Sequence, residues 1–343
     1  EEPENVDYPK NPEFKKKFGP RGVIHSFADG RITDTGPLTK KRMETIDGEV
    51  TAKALDFMER AAKADKPFFL WWNSTRMHIF THLKAESEGK TGLGIYADGM
   101  VEHDGHVGEV MAKLKALGLD QNTIVMYSTD NGAETFTWPD GGTTMFRGEK
   151  NTQWEGGYRV PAMIRWPGVI QPGTVINEIG AHEDMLPTLV AAAGDKTAKE
   201  DLLEGRAIGG TTYKVHLDGY DLGPALRGEA PWPRKEFIYW TDDGSVAALR
   251  YNNWKVTFLE QQAEGLKVWQ EPFTPLRAPK VTNLRMDPFE RAEHENAMGF
   301  QRWYMERMYV IAPAGAYVGQ WLQSFKEFPP RQKPGSFNLD RVM

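Results

Sequence analysis

Ile124-Val125-Met126-Tyr127-Ser128-Thr129-Asp130-Asn131-Gly132 is the stretch on which the fold turns. Its apolar start, introduced by the turn-forming Asn122-Thr123, describes a short strand covered on both faces. Ser128–Gly132 then leaves that strand as a polar loop with a glycine at its exit. In an open α/β sheet, ligands gather outside the carboxyl ends of the strands. Asp130 and Asn131 put side-chain oxygens at such an end, which suits a hard cation such as Ca²⁺ or Mg²⁺. Taken alone, Asp-Asn-Gly is more often an Asx-type turn capping a strand.

Working outward, strands alternate with helices. Ile46, Val50, Ala54, Phe57, Met58 and Ala61 recur at helical spacing, and that helix has to stop ahead of Pro67. Phe68-Phe69-Leu70-Trp71-Trp72 follows as a second apolar run, read as a strand buried on both faces. Met100, Val107, Val110, Met111, Leu114 and Leu117 outline another helix, closed by Gly118. Val160 to Trp166 reads as a third strand and Glu183 to Ala193 as a short helix. The pattern predicts an α/β fold with a large, mostly parallel sheet flanked by helices. Beyond about residue 205 the texture changes to short β segments at Phe237–Trp240, Val246–Tyr251 and Trp254–Leu259. Asn252-Asn253 marks a hairpin, and helical stretches follow near 299–311 and 316–326. The expected division is therefore an α/β catalytic domain over 1–205 and a small C-terminal subdomain with an antiparallel sheet over 206–343.

Composition removes several functions. Among 343 residues there is no cysteine, which excludes disulfides, cysteine-ligated metal centres and a cysteine nucleophile. A net charge of −6 with both signs spread along the chain argues against nucleic acid as a partner. No apolar run reaches the ~18 residues of a membrane span.

Two further loops carry candidate chemistry. Phe146-Arg147-Gly148-Glu149-Lys150-Asn151 places Lys150 in a glycine-flanked polar loop, where a compact positive charge can meet a tetrahedral oxyanion. Asn73-Ser74-Thr75-Arg76-Met77-His78 follows the Phe68–Trp72 run, so His78 falls at the same sheet edge as Asp130. A histidine there can protonate or pair a leaving group. Most lysines and lone histidines are simply surface or packing residues. Glu102-His103-Asp104-Gly105-His106 reads as helix packing, because His103 and His106 share a face that Asp104 does not. Arg147, Arg159 and Arg165 read as structural ion-pair partners, and Trp138 and Trp154 as loop aromatics able to shape an aryl pocket.

Taken together, Ser128–Gly132, Arg147-Gly148-Glu149-Lys150 and Trp154-Glu155-Gly156-Gly157-Tyr158-Arg159-Val160-Pro161 resemble the type I sulfatase (arylsulfatase) family of the alkaline-phosphatase superfamily. Asp184-Met185-Leu186-Pro187-Thr188-Leu189, Asp218-Gly219-Tyr220-Asp221 and Asn283-Leu284-Arg285-Met286-Asp287-Pro288-Phe289-Glu290 continue the likeness in the family's order, and its bacterial arylsulfatase branch is the closest in pattern. The resemblance implies an alkaline-phosphatase-like fold and hydrolysis of a small-molecule or carbohydrate sulfate ester. It implies Asp130 and Asn131 as ligands of Ca²⁺ (Mg²⁺ possible), Lys150 as a sulfate contact and His78 beside the leaving-group oxygen.

The departures are as specific. The family's nucleophile is a formylglycine made from Cys or Ser in Cys/Ser-x-Pro-x-Arg, and no serine of this chain is followed by that pattern. An early pair of adjacent aspartates and a Gly-Lys-x-x-His motif are also missing. Asp242-Asp243 stands in a turn of the C-terminal sheet and reads as solvated rather than as that pair. The expectation is the C-terminal two-thirds of a sulfatase, inactive alone, with a missing N-terminal segment as its partner. It should hold metal poorly, since Asp130 and Asn131 offer few of the ~6–8 oxygens calcium takes. It should also be poorly soluble or dimerise through an uncovered apolar face. The compartment stays open, bacterial periplasm or cytoplasm before membrane. The competing readings are a phosphonate or phosphate monoester hydrolase of the same superfamily and a non-catalytic remnant that binds sulfated ligands.

Overall fold

The computed structural model describes residues 4–19, 22–137, 140–293 and 298–336. They form two compact units, one within residues 1–123 and 137–142, the other within 124–136 and 143–343.

The first unit is built on two long helices. Helix α1 (Ile46–Lys63) buries Ile46, Ala54 and Met58 and carries Asp47 and Glu49 in its first turn, where the helix dipole favours them. Helix α2 (Ile95–Ala116) ends as expected at Gly118, whose φ of 69° lets Leu119 N–H return to Leu114 O at 2.9 Å. Of the apolar stripe expected, Leu114 is buried and Val107, Val110, Met111 and Leu117 are half-buried, while Met100 is exposed and Asp98, His103 and His106 are buried beside the stripe. The two histidines are packing residues, with His103 stacked on Trp72 at 5.6 Å and 6°.

The Phe68–Trp72 segment differs from its reading. It belongs to no strand pair among the described residues, and burial alternates along it. Phe68 lies edge-on to Phe57 of α1 at a centroid distance of 6.0 Å. Phe69 and Trp71 are 69% and 78% exposed, so only one face is covered.

In the second unit, strand β1 (Val125–Ser128) pairs antiparallel with β2 (Ala162–Arg165), Val125 facing Arg165 and Ser128 facing Ala162. Between them in sequence lies one helical turn, α3 (Glu155–Tyr158). Further on, β3 (Glu236–Trp240), β4 (Val246–Tyr251), β5 (Trp254–Glu260) and β6 (Thr274–Asn283) form a sheet in the order β6-β5-β4-β3. Tyr251 pairs with Trp254 across Asn252-Asn253, the hairpin expected, with Asn252 at φ 50°. Ile238, Leu249, Val256 and Val281 on one face pack against Ala314 and Val318 of α4 (Ile311–Trp321), an amphipathic helix whose other face is solvated. All strand pairings among the described residues are antiparallel. No helix among them is long and apolar enough to cross a membrane.

Candidate active site

The loop after β1 is clamped to the Phe146–Tyr158 loop by backbone. Gly132 N–H donates to Gly157 O at 2.9 Å, and Lys150 N–H donates to Ala133 O at 2.9 Å. Gly156 N–H closes the second loop on Arg147 O at 2.7 Å. A β-carbon on Gly132 would lie 1.8 Å from Gly156 O, and one on Gly156 would lie 2.4 Å from Gly148 O. The close approach of the two backbones thus requires glycine at both positions. The clamp brings Lys150 next to the Asp130–Ala133 loop.

Behind this loop stands a buried charged network. Glu155 in α3 contacts Lys255 of β5 at 3.2 Å, Arg250 of β4 at 3.4 Å and the Tyr239 hydroxyl of β3 at 2.5 Å. Lys255, fully buried at 0% exposure, also reaches Glu290 at 2.8 Å and donates to Gln153 O at 2.7 Å. Glu290 in turn accepts the backbone N–H of Glu155 at 2.7 Å. Burial pushes the Glu290 carboxyl up, and Lys255 offsets only part of that. Burial would raise Glu155 too, yet Lys255, Tyr239 and Arg250 together hold it below the usual carboxylate range. The network fixes α3, and through it the loop that carries Lys150, to the C-terminal sheet.

Lys150 itself is half-buried, its ammonium 5.5 Å from the centre of the Trp269 ring. Asn151 at φ 66° turns its side chain back to donate to Val268 O at 2.7 Å. Asp130 is exposed; Asn131 donates its amide N–H to Gly132 O at 2.8 Å, leaving Oδ1 to accept. A carboxylate and an amide oxygen side by side are a hard donor set that fits calcium or magnesium. Among the described residues no group of three or more His, Asp or Glu surrounds a cation position, so the pair fits as part of a coordination shell.

His78 belongs to the other unit, on an exposed turn held from beneath. Asp47 of α1 accepts from Ser74 Oγ and from Thr75 N–H, both at 2.9 Å. Arg76 is buried between Asp47 at 3.3 Å and Glu102 at 2.8 Å. His78 N–H bonds Thr75 O at 2.9 Å, and its Nδ1 lies 3.3 Å from Ile79 O. The structure brings Asp130, Asn131 and Lys150 together in one unit and places His78 in the second.

Other expectations can be checked locally. Trp154 is 5% exposed with the Arg147 guanidinium 3.6 Å above its ring, so it is core and not the wall of an aryl pocket. Trp138 lies outside the described residues. Arg147 also reaches Glu260 at 3.9 Å and Glu290 O at 3.3 Å, a structural partner as read. Asp242-Asp243 is a turn that binds the tail: Gly335 N–H meets Asp242 O at 3.1 Å, and Ser336 Oγ meets Asp243 at 2.6 Å.

Sequence reading missed two contacts at this site. Ser128 Oγ lies 3.1 Å from His182 Nε2, but also 3.0 Å from Pro161 O and 3.1 Å from Thr129 O. With carbonyls taking the hydroxyl hydrogen, His182 donates to Ser128 and the pair is a staple rather than an activated nucleophile. Trp269, whose indole N–H donates to Glu134 at 3.1 Å, gave no sequence signal because it lies more than a hundred residues from that partner.

The architecture is the alkaline-phosphatase-like α/β fold. The chain superposes on the PsFucS1 sulfatase from Pseudoalteromonas sp. with a TM-score of 0.77 and 26% identity, covering 94% of this chain and 62% of that one. Ps i-CgsB, solved in complex with k-i-k-neocarrahexaose, has the same fold at a TM-score of 0.64 and 20% identity, over 91% of this chain and 61% of that one. Within that fold the chain belongs to the sulfatase family, whose model, described as Sulfatase, matches residues 2–195. It is 31% identical to arylsulfatase A of Homo sapiens over 266 residues, covering 74% of this chain and 49% of the relative. To steryl-sulfatase of Mus musculus it is 31% identical over 260 residues, covering 74% of this chain and 36% of the relative. The chain thus spans about half the length of the arylsulfatase A relatives it matches, 49% of the human and 48% of the bovine protein.

Proposed function

We propose that these residues form the sulfate-binding and leaving-group portion of a sulfate monoester hydrolase. The observation that supports the reading is the backbone hydrogen bond from Lys150 N–H to Ala133 O, which holds the Lys150 backbone against the loop that carries Asp130 and Asn131. Sulfate esters present tetrahedral anionic oxygens, and the scissile step spreads negative charge over them and onto the departing oxygen. Lys150 offers three N–H donors to those oxygens from a loop that the Glu155–Lys255–Glu290 network keeps from shifting. His78, on a turn of the other unit fixed by Asp47 and Arg76, is given the role of pairing or protonating the departing oxygen by the family resemblance alone. Asp130 and Asn131 would hold Ca²⁺, which when bound supplies positive charge to the sulfate oxygens. No oxygen nucleophile is assigned among these 343 residues, which contain no cysteine and no serine in the family's pattern.

The test is a calorimetric titration of the chain with inorganic sulfate, with and without calcium. Lys150→Ala is expected to weaken sulfate binding about tenfold or more, the loss of a charge-assisted hydrogen bond. Unchanged binding in that variant would overturn the role of Lys150. Calcium bound by the chain with micromolar affinity would overturn the reading of Asp130 and Asn131 as only part of a coordination shell. Nitrophenyl sulfate should not turn over, and turnover that survives exhaustive purification would overturn the absence of a nucleophile from these residues.

A further inference from the structure

We infer that Trp269 is a stacking platform for the sugar ring of a sulfated pyranoside whose sulfate is held by Lys150. The inference rests on the reading of Lys150 as a sulfate contact and names the substrate class for that site.

Trp269 ends a short 3₁₀ turn, Gly265–Trp269, that reaches from the C-terminal sheet to the Lys150 loop. Val268 is its buried anchor, and Val268 O accepts from Asn151 at 2.7 Å. Gly265 N–H donates to Glu149 at 3.1 Å at the other end of the turn. The indole N–H is engaged by Glu134, which follows Asp130-Asn131 in the β1 loop. Both the backbone and the polar edge of this tryptophan are therefore held, yet the residue stays 44% exposed. Burial does not account for a large ring pinned at its edge and left open, whereas a ligand face does.

The surroundings select the ligand. The ammonium of Lys150 rests within cation–π reach of the ring at 5.5 Å. A charge-assisted hydrogen bond outweighs an exposed cation–π contact, so an arriving sulfate takes the ammonium and leaves the indole face to the rest of the ligand. Lys150 stands by the ring and Glu134 at its N–H edge, with Phe136 against Gly265 at the start of the turn. A part-exposed indole with a carboxylate at its N–H edge and an ammonium close by suits a pyranose: its C–H groups stack while its hydroxyls stay hydrogen-bonded or solvated. A bare aryl ester gains most from an enclosed slot, and this ring stands in the open.

The test measures calorimetric affinities of the 343-residue chain for galactose 6-sulfate, 4-nitrophenyl sulfate and inorganic sulfate. The variants are Trp269→Ala, Trp269→Phe and Lys150→Ala. Trp269→Ala should weaken galactose 6-sulfate about tenfold and Trp269→Phe by less than about threefold, with inorganic sulfate unchanged in both. Equal loss of inorganic sulfate in Trp269→Ala would make the ring a support for Lys150 and overturn the platform. Loss of 4-nitrophenyl sulfate alone would overturn the sugar assignment. Inorganic sulfate binding that ignores Lys150→Ala would instead sink the sulfate-contact reading on which the inference rests. Trp269→Phe keeps a ring in place, so a misfolded alanine variant would not decide the matter.

Discussion

Gly132 shows how a single residue decides whether the candidate site exists. Its place after Asp130-Asn131 is read from sequence as a sharp exit from a strand, and it carries no positive φ. What it provides is room: a methyl group there would collide with the Gly156 carbonyl and push apart the two loops that its own N–H joins. Gly132→Ala is expected to destabilise the chain by roughly 1–3 kcal/mol, the usual cost of overpacking, and to release Lys150 from the Asp130 loop. Urea unfolding followed by tryptophan fluorescence checks the first effect, and weaker inorganic sulfate binding at full native occupancy checks the second. A variant as stable as the parent would show that the loops can part without cost. At this scale the sequence was informative about residue type: Asp130, Asn131 and Lys150 stand out by chemistry and by their neighbours. It was silent about contacts formed over long separations, which is why Trp154 looked like a pocket wall and Trp269 went unnoticed.

At the scale of elements, the four-residue turn α3 matters more than its length suggests. Tyr158 at its end donates its hydroxyl hydrogen to Trp240 O, and Tyr239 donates to Glu155 at its start. Burial pushes the Tyr158 phenol up to about 12 from its ordinary 10. The fully buried Tyr239 is raised as well, by burial first and then by the Glu155 charge. A phenol whose folded pKa is raised contributes stability that is intact below the unfolded pKa and is lost as pH climbs toward the folded one. Unfolding free energy should therefore hold steady to about pH 9.5 and fall between about 10 and 12, where the unfolded chain releases protons that the folded chain retains. Tyr158→Phe should reduce that slope while lowering stability near neutrality by about 1 kcal/mol for the lost hydrogen bond. Urea titrations across this pH range decide it, and an unchanged slope in the variant would remove Tyr158 from the account. Elements with local signals were legible in advance, among them the Asn252-Asn253 hairpin and the Gly118 helix end. The Phe68–Trp72 strand was not, because a strand is made by its neighbours and an apolar run cannot say whether they are there.

On the scale of the whole molecule, two opposing surface properties set its behaviour in solution. A net charge of −6 keeps copies apart, whereas Phe69 and Trp71 present a two-residue apolar stripe on one side of the 67–72 segment. Side chains that alternate in this way combine an uncovered apolar face with a backbone that no strand among the described residues pairs. Soluble proteins seldom leave such a combination open, since apolar contact between copies removes the stripe from water. Charge repulsion of this size is screened beyond about 10 Å at 0.1 M salt, while apolar contact is not. Self-association should therefore increase with salt, the reverse of what a charge-paired interface would do. Sedimentation velocity at rising protein concentration, at low and at moderate sodium chloride, measures this directly. The parent chain is expected to shift to larger species, and the shift should grow with salt. Trp71→Lys, which adds a charge at a site already mostly in water, should return the chain to monomer with little change in its melting temperature. A parent chain that stays monomeric at every concentration and salt level, with a single cooperative melt, would mean that the stripe is covered within the molecule itself.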